Sequence, residues 1–242
     1  MSKQKIMIIR INILIILSIF LFNCNSNKRN TESQSLPEKN NERKPIIQTK
    51  TEINQDFSKS AELFAKYILK ENLRTHIFDI SESKNPKYIQ IFNTEEIVQI
   101  KAYSNKNYLK DNEPKQYGDF TLFVATYNST ANAKKAFERI TADTQHYDSS
   151  ELKEIDTELY ERVKSLNLGA NHGGLITQNG KQVFSLVETC RETPMTGNWL
   201  EYEYIFTNSI TNKDGDIKVL KAGCNEGKYY GGIRKASSQQ RI

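Results

Sequence analysis

Regularly spaced apolar residues begin only at about residue 54, and this boundary limits where the chain can build a core. Residues 25–53 are rich in Asn, Lys, Glu, Ser, Thr and Gln, and they include Pro37 and Pro45. Such a segment cannot bury enough apolar surface to offset its conformational entropy. We therefore expect residues 24–53 to be a flexible polar tether. Residues 54–242 are long enough for a single domain, with two small fused domains as the alternative.

The first 23 residues have the layout of an export signal. Three basic residues, and no acidic residue, precede an apolar run over residues 11–22. As a helix, that run would reach about 18 Å, well short of the roughly 30 Å hydrocarbon core of a bilayer. Residues 1–23 are therefore predicted to be a cleaved secretory signal, and a plain anchor helix is the alternative.

The end of this leader resembles a lipobox, the site at which bacterial lipoproteins are acylated on cysteine and then cut. Leu21 lies three residues before Cys24, and polar residues follow the cysteine at once, although Phe22-Asn23 departs from the small residues usual there. The resemblance implies that Cys24 carries several acyl chains, palmitate among them, that hold the protein on the lipid bilayer. Asn25 after the cysteine then favours the outer membrane. The resemblance implies a location in the cell envelope and no activity. A cleaved signal that happens to contain a cysteine is the alternative.

The excess positive charge belongs mostly to the leader. The formal net charge falls from +5 to +2 when the three leader cations are removed. A nucleic-acid interface needs Lys and Arg clustered on one element, and here they are interspersed with Glu and Asp. We therefore expect no nucleic-acid partner.

Two cysteines remain once Cys24 is assigned to the lipid. Cys190 and Cys224 are expected to form a disulfide, because envelope compartments are oxidising. Closing a loop of about 34 residues should stabilise the fold by roughly 3 to 4 kcal/mol. Two buried free thiols or a thiol enzyme are the alternatives, but no Cys-x-x-Cys spacing supports redox chemistry.

Apolar spacings of three and four residues predict three amphipathic helices. The first follows Asp56, a potential cap, the second follows the turn and cap at residues 128–130, and the third runs from Ser150 to a stop at Leu168-Gly169. Their apolar faces are Phe57, Ala61, Phe64, Ala65, Ile68, Leu69 and Leu73; Ala133, Ala136, Phe137, Ile140 and Thr144; and Leu152, Ile155, Leu159, Val163 and Leu166.

Alternation and β-branched or aromatic content predict several strands. Asn179-Gly180 predicts a type I′ hairpin turn between two of them. The predicted strands cover residues 96–103, 119–127, 174–178, 181–190, 199–206, 216–224 and 228–233. Together the elements predict an α+β fold, a mainly antiparallel sheet with two or three helices packed on one face.

Glu201 and Glu203 are the most suggestive candidates for chemistry. On a strand they would share one face about 7 Å apart, a spacing at which two carboxylates can act together, but a solvated strand face gives the same pattern. Glu188 and Glu192 could join them. His172 precedes two glycines and could serve a small-anion or catalytic pocket, or simply lie in a loop.

No cofactor or metal is expected. Residues 212–216 resemble part of a calcium loop but lack its later glutamate, so a plain hairpin turn is favoured. His76, His146 and His172 share no register that would form a metal site. The common nucleophile and nucleotide motifs are missing from the sequence.

The sequence alone leaves the molecular activity unassigned. It favours a non-enzymatic binding or structural module whose partner is an envelope protein or glycan, since tyrosines suit such surfaces. The alternatives are a carboxylate-based hydrolase and a small-ligand carrier with an apolar cavity between sheet and helices. The tyrosines considered are Tyr202, Tyr204, Tyr229 and Tyr230.

Overall fold

The computed structural model describes most of the chain beyond residue 54. The described residues are 55–80, 87–92, 95–106, 117–147, 151–211, 216–224 and 227–235. All of them belong to one compact unit, Lys50–Ile242. The leader, Cys24, the tether and residues 212–215 of the calcium-like loop lie outside the described residues.

A seven-stranded antiparallel sheet runs through the described residues, in the spatial order β1-β2-β3-β5-β4-β6-β7. Its strands are β1 (Arg74–Phe78), β2 (Ile97–Ser104), β3 (Phe120–Tyr127), β4 (His172–Asn179), β5 (Gln182–Thr189), β6 (Asp216–Ala222) and β7 (Tyr230–Lys235). The α-helices of the described residues are α1 (Ser58–Leu69), α2 (Thr130–Asp143), α3 (Leu152–Ile155), α4 (Thr157–Leu166) and α5 (Trp199–Ser209). The predicted α+β class with an antiparallel sheet is confirmed.

Helices cover both faces of the sheet, whereas packing on one face was expected. α1 and α5 pack on what we call the α1–α5 face, and α2 and α4 pack on the opposite α2–α4 face. β5 shows why both faces are covered, because all eight of its residues are buried. A strand buried on both sides carries apolar residues in both alternating sets. The α1–α5 core includes Phe64, Phe120, Leu122, Phe184 and Phe206, and the α2–α4 core includes Ile100, Phe123, Phe137, Ile140 and Ile176.

Side-chain hydrogen bonds lie at the start of three helices. Asp56, which precedes the N-cap residue Phe57 of α1, accepts a hydrogen bond from the backbone N–H of Ser58 at 2.8 Å. Ser129, the N-cap residue of α2, accepts one from the backbone N–H of Asn132 at 3.2 Å. Asp156 likewise accepts from Leu159 at 2.9 Å. This last cap divides the predicted third helix into α3 and α4, since an N-cap residue leaves the helical conformation. Ile155, expected on the buried face, is 77% exposed at the break.

Residues 199–206 form helix α5, so the strand predicted there is wrong. Trp199, Phe206 and Ile210 are buried on the α1–α5 face, at steps of seven and four that match two turns and one turn of helix. Tyr202 completes the helical spacing, with its ring 5.6 Å from that of Trp199. Leu200, which the strand alternation groups with Phe206, is 59% exposed.

The β4–β5 hairpin forms as predicted, but its turn is of another type. Asn179 pairs with Gln182, so Gly180 and Lys181 are the central residues of the turn. Gly180 has a φ of +53°, and neither Asn179 nor Lys181 has a positive φ. A positive φ at the first central position alone is the pattern of a type II′ turn.

The N-terminal end of the described domain is fixed to this hairpin. Lys181 donates its backbone N–H to the carbonyl oxygen of Gln55 at 2.9 Å, and Phe57 donates to the side-chain oxygen of Gln182 at 2.9 Å. A Cβ at Gly180 would lie 2.3 Å from the same carbonyl oxygen, so this contact requires glycine. The chain therefore enters the domain beside the turn between two central strands.

Candidate functional site

The paired carboxylates predicted on a strand are separated by the helix that replaces it. Residues two apart on a helix point in directions about 160° apart. Glu201 is exposed, whereas Glu203 is 2% exposed and accepts a hydrogen bond from the Lys221 ammonium at 2.8 Å. Because Glu203 is committed to this ion pair and Glu201 faces solvent, the two do not form a joint acid–base site.

His172 lies on the other side of the sheet from Glu203. It is the first residue of β4 and its ring packs edge-on against Tyr117, which belongs to the α2–α4 core. Burial lowers the pKa of His172 below its ordinary value, and the nearby Arg191 charge lowers it further. Since Glu203 belongs to the α1–α5 face, the structure does not bring His172 together with the glutamates.

The predicted disulfide between Cys190 and Cys224 is present, with its two Cα atoms 5.5 Å apart. Cys190 follows β5 and Cys224 follows β6, and these strands flank β4 on its two sides. Cys190 also donates its backbone N–H to Asn171 at 2.7 Å, just before β4 begins. The bond therefore joins two strands across the start of the strand between them. A Cβ at Gly173 would lie 2.8 Å from the Ala222 carbonyl oxygen, so this close approach needs glycine.

The other sequence candidates are dispersed over the domain. Glu188 is buried in β5, while Glu192 is exposed beyond the strand end. Tyr229 is buried in the α2–α4 core, where burial raises the pKa of its phenol, and Tyr230 beside it is 52% exposed. Tyr202 packs on the α1–α5 face, so Tyr202 and Tyr229 lie on opposite faces of the sheet and do not share one surface.

Within the residues that the structure describes, no group of three or more His, Cys, Asp and Glu side chains could hold a metal ion. None of the helices in the same ranges is long and apolar enough to cross a bilayer.

A charged cleft of about 650 Å³ beside α2, which we call the α2 cleft, was not predicted from the sequence. Side chains from the two residues before β2, from α2 and from α4 line it. Its α2 residues recur at steps of three and four, and that spacing places them in one row along the helix. This polar row was a signal in the sequence. The lining residues are Glu95, Glu96, Asn132, Lys135, Ala136, Arg139 and Glu158.

Arg139 is the least exposed of the charged residues that line the cleft. Its guanidinium donates a hydrogen bond to the Ile91 carbonyl oxygen. Desolvation by burial lowers the pKa of Arg139, and the charge of Arg162 lowers it further, yet a guanidinium stays protonated in proteins. Arg162 itself is held by Asp143 and Glu158, each at 2.9 Å. The cleft therefore contains a fixed, partly desolvated cation.

A hydrogen-bonded clamp fixes the other side of the cleft. Glu96 adopts a left-handed φ of +70°, which costs a non-glycine residue about 1 to 2 kcal/mol. Asn128 holds it twice, through its backbone N–H on the Glu96 carbonyl at 3.1 Å and through its side-chain amide on the Glu96 carboxylate. Asn132 then donates to Asn128 at 2.7 Å. The clamp connects the start of β2 to α2 and orients one carboxylate at the cleft.

Both signs of charge therefore line one cleft. Lys135 and Arg139 supply two cations from α2, and Glu95, Glu96 and Glu158 supply three carboxylates. Lys135 and Glu95 are exposed at the opening. Such an arrangement favours a ligand that carries an anionic group and an amino group together.

Comparison with known proteins finds no matching family model, no matching curated protein and no matching solved structure.

Proposed function

We propose that this chain is a bacterial outer-membrane lipoprotein, anchored by acylated Cys24, whose domain is a non-enzymatic binding module. The leader and the lipobox-like residues support the location. The α2 cleft supports the binding role, and it is the observation that carries the proposal. The ligand it favours is a small zwitterion or the charged end of an envelope peptide or peptide-bearing glycan.

The charges of the cleft give the reason for this ligand. A partly desolvated guanidinium binds a carboxylate more strongly than an exposed ammonium does, because the local dielectric around it is lower. Arg139 and Lys135 therefore suit the acid group of the ligand. Glu95, exposed at the opening, suits its amino group. The separation of Glu201, Glu203 and His172 disfavours the carboxylate hydrolase.

The first prediction is that Cys24 is acylated in the protein from its native host. Intact mass of the protein from its native host should give an N-terminus at Cys24 with several acyl chains, and the protein should sediment with outer membranes. A Cys24→Ser variant should lose both the added mass and the cut, because the thiol is the acylation site. An unmodified wild type, or one that begins at another residue, would refute the proposed location.

The second prediction is that the zwitterionic dipeptide alanyl-alanine binds in the α2 cleft. Titration followed by nuclear magnetic resonance should shift the backbone amide signals of Asn132 and Ala136. Lys135→Glu should weaken the dipeptide about tenfold, because it replaces an attraction with a repulsion of similar size. Lys134→Glu should change affinity by less than about threefold, since Lys134 makes the same charge change outside the lining.

A second ligand distinguishes recognition of the two charges from non-specific binding of a dipeptide. The N-acetylated dipeptide amide lacks both charges and should cause no shifts at the same concentration. Equal losses in the Lys134 and Lys135 variants, or dipeptide shifts spread away from α2, would contradict a site in the α2 cleft.

A further inference from the structure

We propose that the outer face of α1 is a membrane-contact surface that lies on the anionic lipid bilayer to which the acylated Cys24 is anchored. The inference rests on the proposed lipoprotein function and extends it to the orientation of the domain. It starts from the exposed residues between Ser58 and Lys70, which we call the α1 stripe. They are Lys59, Leu63, Lys66, Tyr67 and Lys70.

The α1 stripe combines the two residue classes that interfacial helices use. Leu63 is 55% exposed and Tyr67 is 48% exposed, one helical turn apart. At 100° per residue, the four stripe residues within α1 fall inside an arc of about 100°. An apolar residue and a tyrosine can enter the boundary between headgroups and acyl chains, while lysine stems extend their ammonium groups to lipid phosphates.

The charge near the stripe also favours an anionic surface. Glu62 lies between Lys59 and Lys66, at 3.8 and 2.6 Å from their ammonium groups, so it offsets part of the stripe's charge. Over residues 58–74 the basic side chains are Lys59, Lys66, Lys70 and Arg74 and the acidic ones are Glu62 and Glu71, a net charge of +2. Each basic residue near an anionic membrane surface contributes roughly 1 kcal/mol of attraction.

The position of α1 in the chain identifies the membrane as its occupant. The proposed tether joins Cys24 to Gln55, which is hydrogen-bonded to the β4–β5 turn immediately before α1. A polar coil of that length has an r.m.s. span of about 30 Å. The anchor therefore holds the stripe close to the bilayer, so a contact too weak to bind from solution becomes intramolecular. By contrast, the exposed apolar residues Ile155 and Leu200 lie on α3 and α5.

Vesicle flotation with the mature chain carrying Cys24→Ser tests the surface without the acyl anchor. Vesicles of phosphatidylethanolamine with about one third phosphatidylglycerol should carry the protein at low salt, and neutral phosphatidylcholine vesicles should carry much less. Leu63→Ser/Tyr67→Ser should lower the partition coefficient on anionic vesicles about tenfold. Lys59→Gln/Lys66→Gln should lower it by a similar factor.

Matched controls decide whether the effect belongs to the stripe. Ile155→Ser/Leu200→Ser removes two apolar side chains that are more exposed than Leu63 and Tyr67 but lie outside the stripe, and it should leave the partition coefficient within about twofold. Equal binding to both vesicle types, or an equal loss in the control variant, would overturn the proposal. Stripe variants that bind vesicles normally but lose an envelope protein would also overturn it, in favour of a protein interface. Acylation of Cys24, measured separately by mass, shows whether the lipoprotein assignment itself has failed.

Discussion

Replacing Phe206 with alanine is expected to lower the free energy of unfolding by about 3 to 5 kcal/mol, the usual cost of removing a fully buried phenylalanine. Phe206 has no exposed surface, and its ring lies 5.1 Å from that of Phe64 and 5.5 Å from that of Phe184. It thereby joins α5 to α1 and to the sheet, and its loss leaves a cavity among three elements. Urea denaturation followed by circular dichroism measures the change.

Leu200→Ala is the matched control and separates a helix from a strand at residues 199–206. In a strand, Leu200 and Phe206 would share one face and both truncations would be costly. In α5, Leu200 is mostly exposed, so its truncation should cost less than about 1 kcal/mol. Similar large losses in both variants would contradict the helix.

Removing the disulfide with Cys190→Ser/Cys224→Ser is expected to lower the free energy of unfolding by about 3 to 4 kcal/mol. The estimate is the loop-closure entropy for two cysteines 34 residues apart, which the bond removes from the unfolded chain. Denaturant titrations of the variant and of the oxidised parent measure the difference. A mild reductant should shift the parent toward the variant and leave the variant unchanged.

Cys24→Ser provides the control for general effects of cysteine substitution. It should not change the unfolding of the domain, because residue 24 lies outside the unit Lys50–Ile242. Peptide mapping without reductant should recover the fragment that joins Cys190 to Cys224. Two alkylatable thiols in native protein, with no stability difference, would refute the bond.

Local patterns predicted several elements. α1 and α2 lie where the helical spacing of their apolar residues placed them, and β2 and β3 lie within one residue of the predicted ranges, because β-branched and aromatic residues favour strands. The hairpin was found because its turn needs a glycine, although Gly180 occupies the first central position rather than the second. The disulfide was predicted because two cysteines, Cys190 and Cys224, remain once Cys24 is assigned to the lipid.

α5 could not be identified from alternation alone. Trp199, Tyr202 and Phe206 fit a helix, while Leu200, Tyr202, Tyr204 and Phe206 fit a strand. Because the segment contains many aromatic residues, both the helical period of about 3.6 and the strand period of two place apolar residues on one face. The neighbours decide the outcome, because α5 fills the face of the sheet beside α1. The packing of helices on both faces of the sheet was not predicted for a related reason. The sequence of a single strand does not indicate which element packs on each of its faces.

The α2 cleft depends on contacts that sequence reasoning does not supply. Glu95 and Glu158 lie on either side of α2 in the sequence, in separate elements, and they meet α2 only in the folded domain. Conversely, the hypothesis that Glu201 and Glu203 act together is wrong because it assumed the two-residue period of a strand for residues 199–206. A single change from strand to helix placed one carboxylate in solvent and the other against Lys221.

The central pairing of β3 with β5 has a consequence for how the polypeptide matures. Its partners, from Phe120 with Glu188 to Thr126 with Gln182, are 56 to 68 residues apart along the chain. Contacts so remote in sequence form slowly, since a long loop must close first. A growing chain therefore keeps one side of β3 without its neighbour until most of the polypeptide has been made. Late closure of this kind is compatible with the export that we propose, because a chain passes through a translocation channel in an unfolded state.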